Sequence, residues 1–321
     1  MLISVLLFIV GLLFLIKGGD WFVDGASALA RRFHLSELLI GATVVSIGTT
    51  LPEVMVSTMS AIGGHGEIAY GNAIGSVICN TALIAAITVT FRPGKVNVKA
   101  LKLPVLFFFA AAGVYIFVAY NFRYFSRPVG FILLAMFVLY IITNVMQMKN
   151  SASSEEAAEI PADAPSFTRS QLLLVGGAVL IALGANLLVN NGIVIAQALG
   201  VPESVIGLTF VALGTSLPEL VTAITSLVKG HSELSLGNII GANVFNLVLV
   251  SGISISLAPF SIPQDSTILG INSSLLLDIP LMLFVMSLLC LPTLLRGKLS
   301  RVQGLILLAA YVGFCAIQFT M

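Results

Sequence analysis

Two stretches of the chain, residues 41–84 and 207–250, are copies of one another. The first reads GATVVSIGTTLPEVMVSTMSAIGGHGEIAYGNAIGSVICNTALI, and the second reads GLTFVALGTSLPELVTAITSLVKGHSELSLGNIIGANVFNLVLV. They align without a gap at a spacing of 166 residues, and 18 of their 44 positions are identical. Two unrelated apolar segments would not share so many residues by chance, so the chain contains an internal repeat.

The repeat extends into the rest of each half. After a change of register, residues 101–108 (LKLPVLFF) align with 277–284 (LDIPLMLF), and residues 127–135 align with 301–309. Between the halves lies a stretch rich in Ser, Glu and Pro, a composition typical of a flexible connector. The predicted organisation is a first repeat over 1–148, an acidic cytoplasmic linker over 149–169 and a second repeat over 170–321.

The composition places both halves in a membrane. Of 321 residues, 58% are apolar and only 9% are charged, whereas soluble domains carry about 25% charged residues. A net charge of +1 without a basic stripe argues against nucleic-acid binding. Three scattered cysteines exclude a disulfide scaffold. No basic segment precedes the first apolar run, so we interpret that run as a retained helix rather than a signal peptide.

Apolar runs of membrane-spanning length recur ten times along the chain. Five spans fall in each half, and an odd number means that the second half crosses the membrane in the opposite direction. The predicted fold class is therefore an all-α membrane protein with ten transmembrane helices in two inverted five-helix repeats. The predicted spans are 2–27, 37–62, 68–90, 103–120, 127–147, 170–199, 204–228, 235–258, 276–294 and 302–320.

The basic residues predict the orientation. If both termini lie outside the cytoplasm, twelve Lys and Arg residues fall in cytoplasmic loops and only Arg123 and Arg127 fall in outer loops. This bias predicts a multi-pass protein of the cytoplasmic (inner) membrane. The twelve are Arg31, Arg32, Arg92, Lys95, Lys99, Lys102, Lys149, Arg169, Lys229, Arg296, Lys298 and Arg301.

Each half carries one glutamate deep in its second span, directly after a proline. Glu53 and Glu219 each lie about 15 residues into an apolar run, close to mid-bilayer at about 1.5 Å per residue. An ionised side chain there costs at least about 2.5–3.5 kcal/mol. Both glutamates could be protonated and structural. Two symmetric copies favour a shared cause, and a bound cation supplies one.

Pro52 and Pro218 predict a break in each of these helices, because proline cannot donate a backbone hydrogen bond and clashes with the preceding turn. Backbone carbonyls near Thr49 and Thr215 would thereby be freed. Irregular backbone at membrane depth is tolerated only where it is buried in protein or lines a cavity. Hydroxyl groups lie at the same turns, on Thr49, Thr50, Thr215 and Ser216.

The third span of each half adds amides. Asn80 and Asn246 follow the matching sequences Gly71-Asn72 and Gly237-Asn238 and offer oxygens toward the carboxylates. An isolated membrane asparagine would instead be a contact between helices. The candidate donors are all oxygens, which disfavours zinc and copper and suits calcium or sodium.

The motifs GTTLPE and GTSLPE, each followed by GNxxG and an asparagine, resemble the paired repeats of the sodium/calcium exchanger family. The resemblance covers the whole chain and implies four cation sites at the centre. It implies that Glu53 and Glu219 hold calcium, that carbonyls of Thr49 and Thr215 assist, and that carbonyls of Ser46 and Ala212 serve flanking sodium sites. The implied lining is Ser46, Thr49, Thr50, Glu53, Ser76, Asn80, Ala212, Thr215, Ser216, Glu219, Ala242 and Asn246.

Two positions depart from the family pattern. Family members often have Asp at the position of Asn246 and Ser at that of Ala242, and the loss of a hydroxyl alters a flanking sodium site. Sodium stoichiometry, and the choice between sodium and protons, therefore stay open.

The expected function is a secondary antiporter that exchanges Ca²⁺ for Na⁺ by alternating access and exports calcium. Proton/calcium exchange is the closest alternative, and a cation channel is another. An enzyme is not expected, because all three histidines lie in loops. The expected partners are Ca²⁺, Na⁺ or H⁺, and the lipid bilayer, with no cofactor, nucleic acid or obligate protein partner.

Overall fold

The computed structural model describes residues 2–33, 35–152, 166–198, 214, 216–264, 267–268 and 270–320. Over these residues the chain is a bundle of helices with two short antiparallel strand pairs. The helices are α1 (Leu2–Arg32), α2 (Glu37–Ile40), α3 (Ser46–Ile62), α4 (Gly66–Cys79), α5 (Ala86–Phe91), α6 (Val98–Asn121), α7 (Arg127–Ala152), α8 (Phe167–Ala198), α9 (Leu217–Lys229), α10 (Ser232–Phe245), α11 (Ser251–Leu257), α12 (Ile279–Arg296) and α13 (Arg301–Thr320).

Four π-helical segments lie within these helical runs, at Gly41–Val45, Asn80–Ala85, Asn246–Val250 and Ser274–Asp278. They join neighbouring helices into longer spans, so that α2 and α3 form one span over Glu37–Ile62 and α10 and α11 form one over Ser232–Leu257. The strands are β1 (Tyr124–Phe125) with β2 (Phe260–Ser261), and β3 (Thr267–Ile268) with β4 (Ile271–Asn272).

Nine of the predicted spans are confirmed as helices long and apolar enough to cross a membrane in the described part of the chain. The predicted seventh span, 204–228, contributes α9, and its first residues lie outside the described ranges. Helix also occupies both ends of the predicted linker, because α7 continues to Ala152 and α8 begins at Phe167. Residues 153–165 lie outside the described ranges, and the limits of the two halves stay predictions.

Helices α1 and α8 cross at glycines that occupy the same positions of the repeat. Gly11 and Gly18 of α1 correspond to Gly177 and Gly184 of α8, 166 residues later. A Cβ added at Gly177 would lie 2.5 Å from the Phe22 nitrogen, and one added at Gly184 would lie 2.8 Å from the Gly11 oxygen. The two helices therefore touch backbone to backbone, and each half supplies one of them.

Two loops pair at one end of the bundle. The Val96 nitrogen donates to the Gly297 oxygen at 3.0 Å, and the Leu299 nitrogen donates to the Gly94 oxygen at 2.8 Å. Residues 94–96 belong to the first half and residues 297–299 to the second, so this pairing joins the halves.

The same pairing recurs at the opposite end. There β1 pairs with β2, and the Ile262 nitrogen donates to the Arg123 oxygen at 3.0 Å. Residues 260–262 are the repeat equivalents of 94–96, and residues 123–125 are those of 297–299. Helix α6 begins just after the first loop pair and ends just before the second, about 36 Å away for 24 residues. One contact repeated at opposite ends is the pattern that inverted repeats produce.

The described core is divided into two apolar clusters. The larger one surrounds α10, whose span Ser232–Leu257 is the most buried of the nine. The smaller one joins α1 and α8 to the starts of the neighbouring spans through Phe22, Val23 and Ile181. The carboxylates lie in the region where the repeats meet.

We expect Gly177→Ala to destabilise the protein, because its methyl group would enter backbone of α1. Forcing the helices apart should lower the free energy of unfolding by about 1–3 kcal/mol. Denaturant unfolding in detergent measures this change. Gly113→Ala is the matched control, since an added Cβ there meets no described atom within 4 Å. Equal effects of the two substitutions would contradict backbone contact between α1 and α8.

Candidate cation site

The centre of the site is a pair of buried carboxylates, one from each half. Glu53 lies on α3 and Glu219 in the first turn of α9, and each is 0% exposed. The two helices that carry these carboxyl groups, α3 and α9, contact each other. Neither carboxyl group accepts a hydrogen bond of normal geometry from the described residues, although the Thr49 side chain lies beside Glu219. Two buried like charges without a counter-charge are unstable unless a cation or protons join them.

The backbone around the two glutamates differs from the prediction in the first half. Helix α3 runs through Pro52 without a break, so the predicted break there was wrong. Proline removes only one intrahelical hydrogen bond, and in buried spans surrounding groups tolerate that loss. The irregular turn lies earlier, in the π-helical Gly41–Val45. In the second half α9 begins at Leu217, with Pro218 in its first turn.

Asn80 and Asn246 each begin a π-helical segment, and they are repeat equivalents. Both are 0% exposed, and neither side-chain amide has a hydrogen-bond partner among the described residues. A π-helical turn holds one extra residue and is frequent at functional sites. The polar residues at 80 and 246 were predicted, but the change of helix type was not, because these spans are apolar on most faces and a shift of the apolar pattern cannot be seen in them.

Each π-helical segment that carries one of these amides packs against the glutamate helix of the other half. Helix α3, which carries Glu53, packs against the π-helical Asn246–Val250, and α9, which carries Glu219, packs against Asn80–Ala85. Each glutamate is therefore surrounded by its own half and by the inverted half. This exchange brings Glu53, Glu219, Asn80 and Asn246 into one region.

The predicted hydroxyl groups divide into two sets. Thr50 and Ser216 are buried, and their oxygens have no hydrogen-bond partner among the described residues. Ser46 and Thr49 are instead engaged with Asn238: Ser46 Oγ donates to its backbone oxygen at 2.9 Å, and Thr49 Oγ1 donates to its Oδ1 at 3.1 Å.

The remaining predicted residues are Ser76, Ala242, Ala212 and Thr215. Ser76 and Ala242 are buried on α4 and α10. Ala212 and Thr215 lie outside the described residues.

Two asparagines of the Gly-Asn motifs support the glutamate helix. Asn72 Nδ2 donates to the Glu53 backbone oxygen at 3.3 Å and to Ser57 Oγ at 2.8 Å. Asn238 holds Ser46 and Thr49, as described above. The sequence presents both asparagines as part of a motif, and the structure assigns them the role of positioning α3.

A polar contact between the halves escaped the sequence analysis. Asn243 Nδ2 donates to Thr81 Oγ1 at 2.7 Å, one turn from Asn246 and next to Asn80. The repeat equivalents of these residues are Val77 and Leu247, so a search for matching polar pairs does not find them.

The oxygen atoms of this site suit a hard cation. Calcium takes six to eight oxygens in flexible geometry, and carboxylates, amides and hydroxyls all supply them. In the described part of the chain no three His, Cys, Asp or Glu side chains come together.

We expect Thr81→Val to destabilise the protein, since it keeps the side-chain shape but removes the oxygen that accepts from Asn243. Asn243 Nδ2 would keep only the Met286 sulfur at 3.2 Å, a weak acceptor, and an unsatisfied buried amide costs about 1–3 kcal/mol. The unfolding free energy in detergent measures the loss. Thr143→Val is the control, because Thr143 Oγ1 bonds only within its own helix, to Leu139 and Tyr140 oxygens. A loss no greater than that of the control would show that the contact between the halves contributes nothing.

Comparisons with known proteins agree with this architecture. The chain matches the family described as sodium/calcium exchanger protein over residues 3–146 and 170–320. It is 37% identical to the putative antiporter CaxA of Alkalimonas amylolytica, with 100% of both chains covered. It is 31% identical to the sodium/calcium exchanger MaX1 of Methanosarcina acetivorans, with 99% of both covered.

Among solved structures, the sodium-calcium exchanger NCX_Mj superposes with a TM-score of 0.83 at 32% identity, with 98% of both chains covered. Sequence and fold thus agree over nearly the whole chain. The chain belongs to the sodium/calcium exchanger family: it is a multi-pass membrane antiporter built from inverted repeats, a transporter and not an enzyme, with nine helices of membrane-spanning length in its described residues.

Proposed function

We propose that this protein exchanges Ca²⁺ for Na⁺ by alternating access, at a site built around Glu53 and Glu219. The observation that carries the proposal is the pair of fully buried carboxylates from inverted halves, with oxygens that lack partners among the described residues. Ca²⁺ is the substrate whose charge and ligand preference match such a pair.

The proposed calcium ligands are the two carboxylates, the amide oxygens of Asn80 and Asn246, and the backbone carbonyls of Thr49 and Thr215, which the family resemblance implies. Two bidentate carboxylates give four oxygens, and two carbonyls raise the number to the six that calcium requires. The flanking sodium sites use the surrounding polar and backbone groups. Those positions are Ser46, Thr50, Ser76, Ala212, Ser216 and Ala242.

The charge of the site explains why transport is exchange rather than leak. With both glutamates ionised the empty site carries a charge of about −2, and moving that charge between states in a low-dielectric interior is costly. One Ca²⁺ neutralises the charge, as do two or three monovalent cations. Only loaded sites therefore cross readily, and a channel-like flux without a counter-ion is disfavoured.

Sodium is the proposed counter-ion, with protons as the alternative. The relatives named sodium/calcium exchanger support sodium. Two departures from the family pattern act on the sodium stoichiometry. Ala242 lacks the hydroxyl of the Ser that other members have there, and Asn246 has a neutral amide where they have Asp. If three Na⁺ move against one Ca²⁺, each cycle transfers one charge and is coupled to voltage by about 2.3 kcal/mol per 100 mV.

The proposed location is the cytoplasmic membrane, with both termini outside. The support is the excess of basic residues in the loops that would then face the cytoplasm. An inward sodium gradient would then drive calcium export.

We expect Glu53→Gln to abolish calcium uptake into sodium-loaded proteoliposomes, since one central carboxylate is lost while the side-chain shape is kept. Radioactive calcium uptake measures the rate. Glu67→Gln is the control, because Glu67 is an exposed carboxylate outside the proposed site. Wild-type uptake in the Glu53 variant would overturn the assignment of the site.

The counter-ion is tested by imposing one gradient at a time on the wild-type protein. We expect an outward sodium gradient to drive calcium uptake and a proton gradient of equal size to leave it near the background rate. Uptake driven only by protons would replace sodium with H⁺ in the proposal. Calcium flux that needs no ion on the far side would contradict exchange altogether.

A further inference from the structure

Helices α1 and α8 form a unit that is distinct from the larger core. They pack along one another through their glycines, and their apolar side chains belong to the smaller cluster rather than to the one around α10. Their contacts with the rest of the described bundle are limited mainly to α9, α2 and α3. A unit with so small an attachment is able to shift against the core at modest cost.

One charged residue fastens this unit to the core. Lys229, the last residue of α9, has its Nζ atom 2.8 Å from Asp24 Oδ1 and 3.3 Å from Asp20 Oδ1, and it donates to the Asp20 backbone oxygen at 3.1 Å. Helix α9 also carries Glu219 in its first turn. These contacts therefore connect α1 directly to the helix of a site carboxylate. We name the three residues the Lys229 clamp.

The clamp joins the two halves, and the repeat has no charged counterpart of it. The repeat equivalents of Lys229, Asp20 and Asp24 are Gly63, Asn186 and Asn190, all of them uncharged. Asn190 Nδ2 donates to Asn186 Oδ1 at 3.0 Å, so the amides pair with each other on α8. Perfectly symmetric repeats would give the two end states of the transporter equal energy. A charged contact at one end removes that equality.

The clamp flanks a residue of α1 that packs against α3, the helix of Glu53. Phe22 stands between Asp20 and Asp24 along α1 and is buried. A Cβ added at Gly48 would lie 3.1 Å from the Phe22 ring, and Gly48 precedes Thr49. A cavity of about 10 Å³, bordered by Phe22, Thr49 and Pro218, remains between α1 and the site. Displacing α1 at this end would uncover Thr49.

We propose that Lys229 is a positioning residue that holds α1 closed over the site at the Lys229 end and so biases the transporter toward the state open at the other end. The inference rests on the proposed alternating access. With the proposed orientation, the clamped end is cytoplasmic. Lys229, Asp20 and Asp24 bind no cation in this scheme, and they act only on the equilibrium between states.

The effect of the clamp on affinity has opposite signs at the two faces. The apparent calcium affinity at a face is proportional to the fraction of protein that is open there, so it decreases when that fraction decreases. Breaking the clamp raises the fraction open at the Lys229 end and lowers the fraction open at the other end. The calcium KM should therefore fall at the clamped face and rise at the opposite face. For partly exposed ion pairs the equilibrium shift is roughly two- to fivefold.

The test compares Lys229→Gln with the wild type in proteoliposomes of both orientations, with the calcium KM measured separately at each face. The matched control is Lys95→Gln, a basic residue at the same end that forms no ion pair among the described residues. The double variant Lys229→Asp with Asp24→Lys should restore both KM values, because it rebuilds the ion pair with reversed charges. Equal shifts at both faces, or no rescue, would overturn the proposal.

A second measurement needs no transport. Spin labels at Arg31→Cys, on the exposed end of α1, and at Leu295→Cys, on exposed α12, report the separation of the unit from the core. Lys229→Gln should add a population with longer distances, and the charge-reversed pair should remove it. Unchanged distances would overturn the clamp. Absence of exchange in the wild type would instead overturn the proposed function and leave this measurement interpretable.

Discussion

The structure depends on the burial of two carboxylates that repel each other. Glu53 and Glu219 are removed from water, and no basic side chain forms an ion pair with either of them in the described part of the chain. Such a pair is stable only if a cation or protons bind to it. Around it, the side-chain oxygens of Asn80, Asn246, Thr50 and Ser216 have no hydrogen-bond partners among the described residues. The fold therefore keeps at its centre two carboxylates that the described residues do not neutralise.

The inverted repeat provides this arrangement from one short sequence used twice. Each glutamate helix packs against the π-helical segment of the other half, so both halves contribute to each side of the site. The same exchange occurs at the ends of the bundle, where equivalent loops pair, and in α1 and α8, which cross at equivalent glycines. Because these contacts have counterparts, a charged contact without one, such as the Lys229 clamp, makes the two ends of the bundle unequal.

The central residues of the candidate site were predictable, because a charged residue in an apolar run is conspicuous. Glu53 and Glu219 stand out in their spans, and the repeat marks them twice. The π-helical turns at Asn80 and Asn246 were not predictable, since their spans are apolar on most faces and do not show the shift that an extra residue causes. The break expected at Pro52 is absent because packing holds the helix on both sides of the proline. Contacts between distant residues, such as Thr81 with Asn243, depend on tertiary geometry that no local pattern encodes.

The pairing of α1 with α8 has a consequence for the origin of the protein. The backbone contacts at Gly18 and Gly177, like the packing of α3 against Asn246–Val250, need two halves that run in opposite directions. A chain of one half alone would leave its glycine face and its glutamate helix uncovered. Such an ancestor could form the same contacts only by pairing with a second copy inserted upside down. Joining the two copies in one gene would fix the opposite orientations and would then allow each half to change independently.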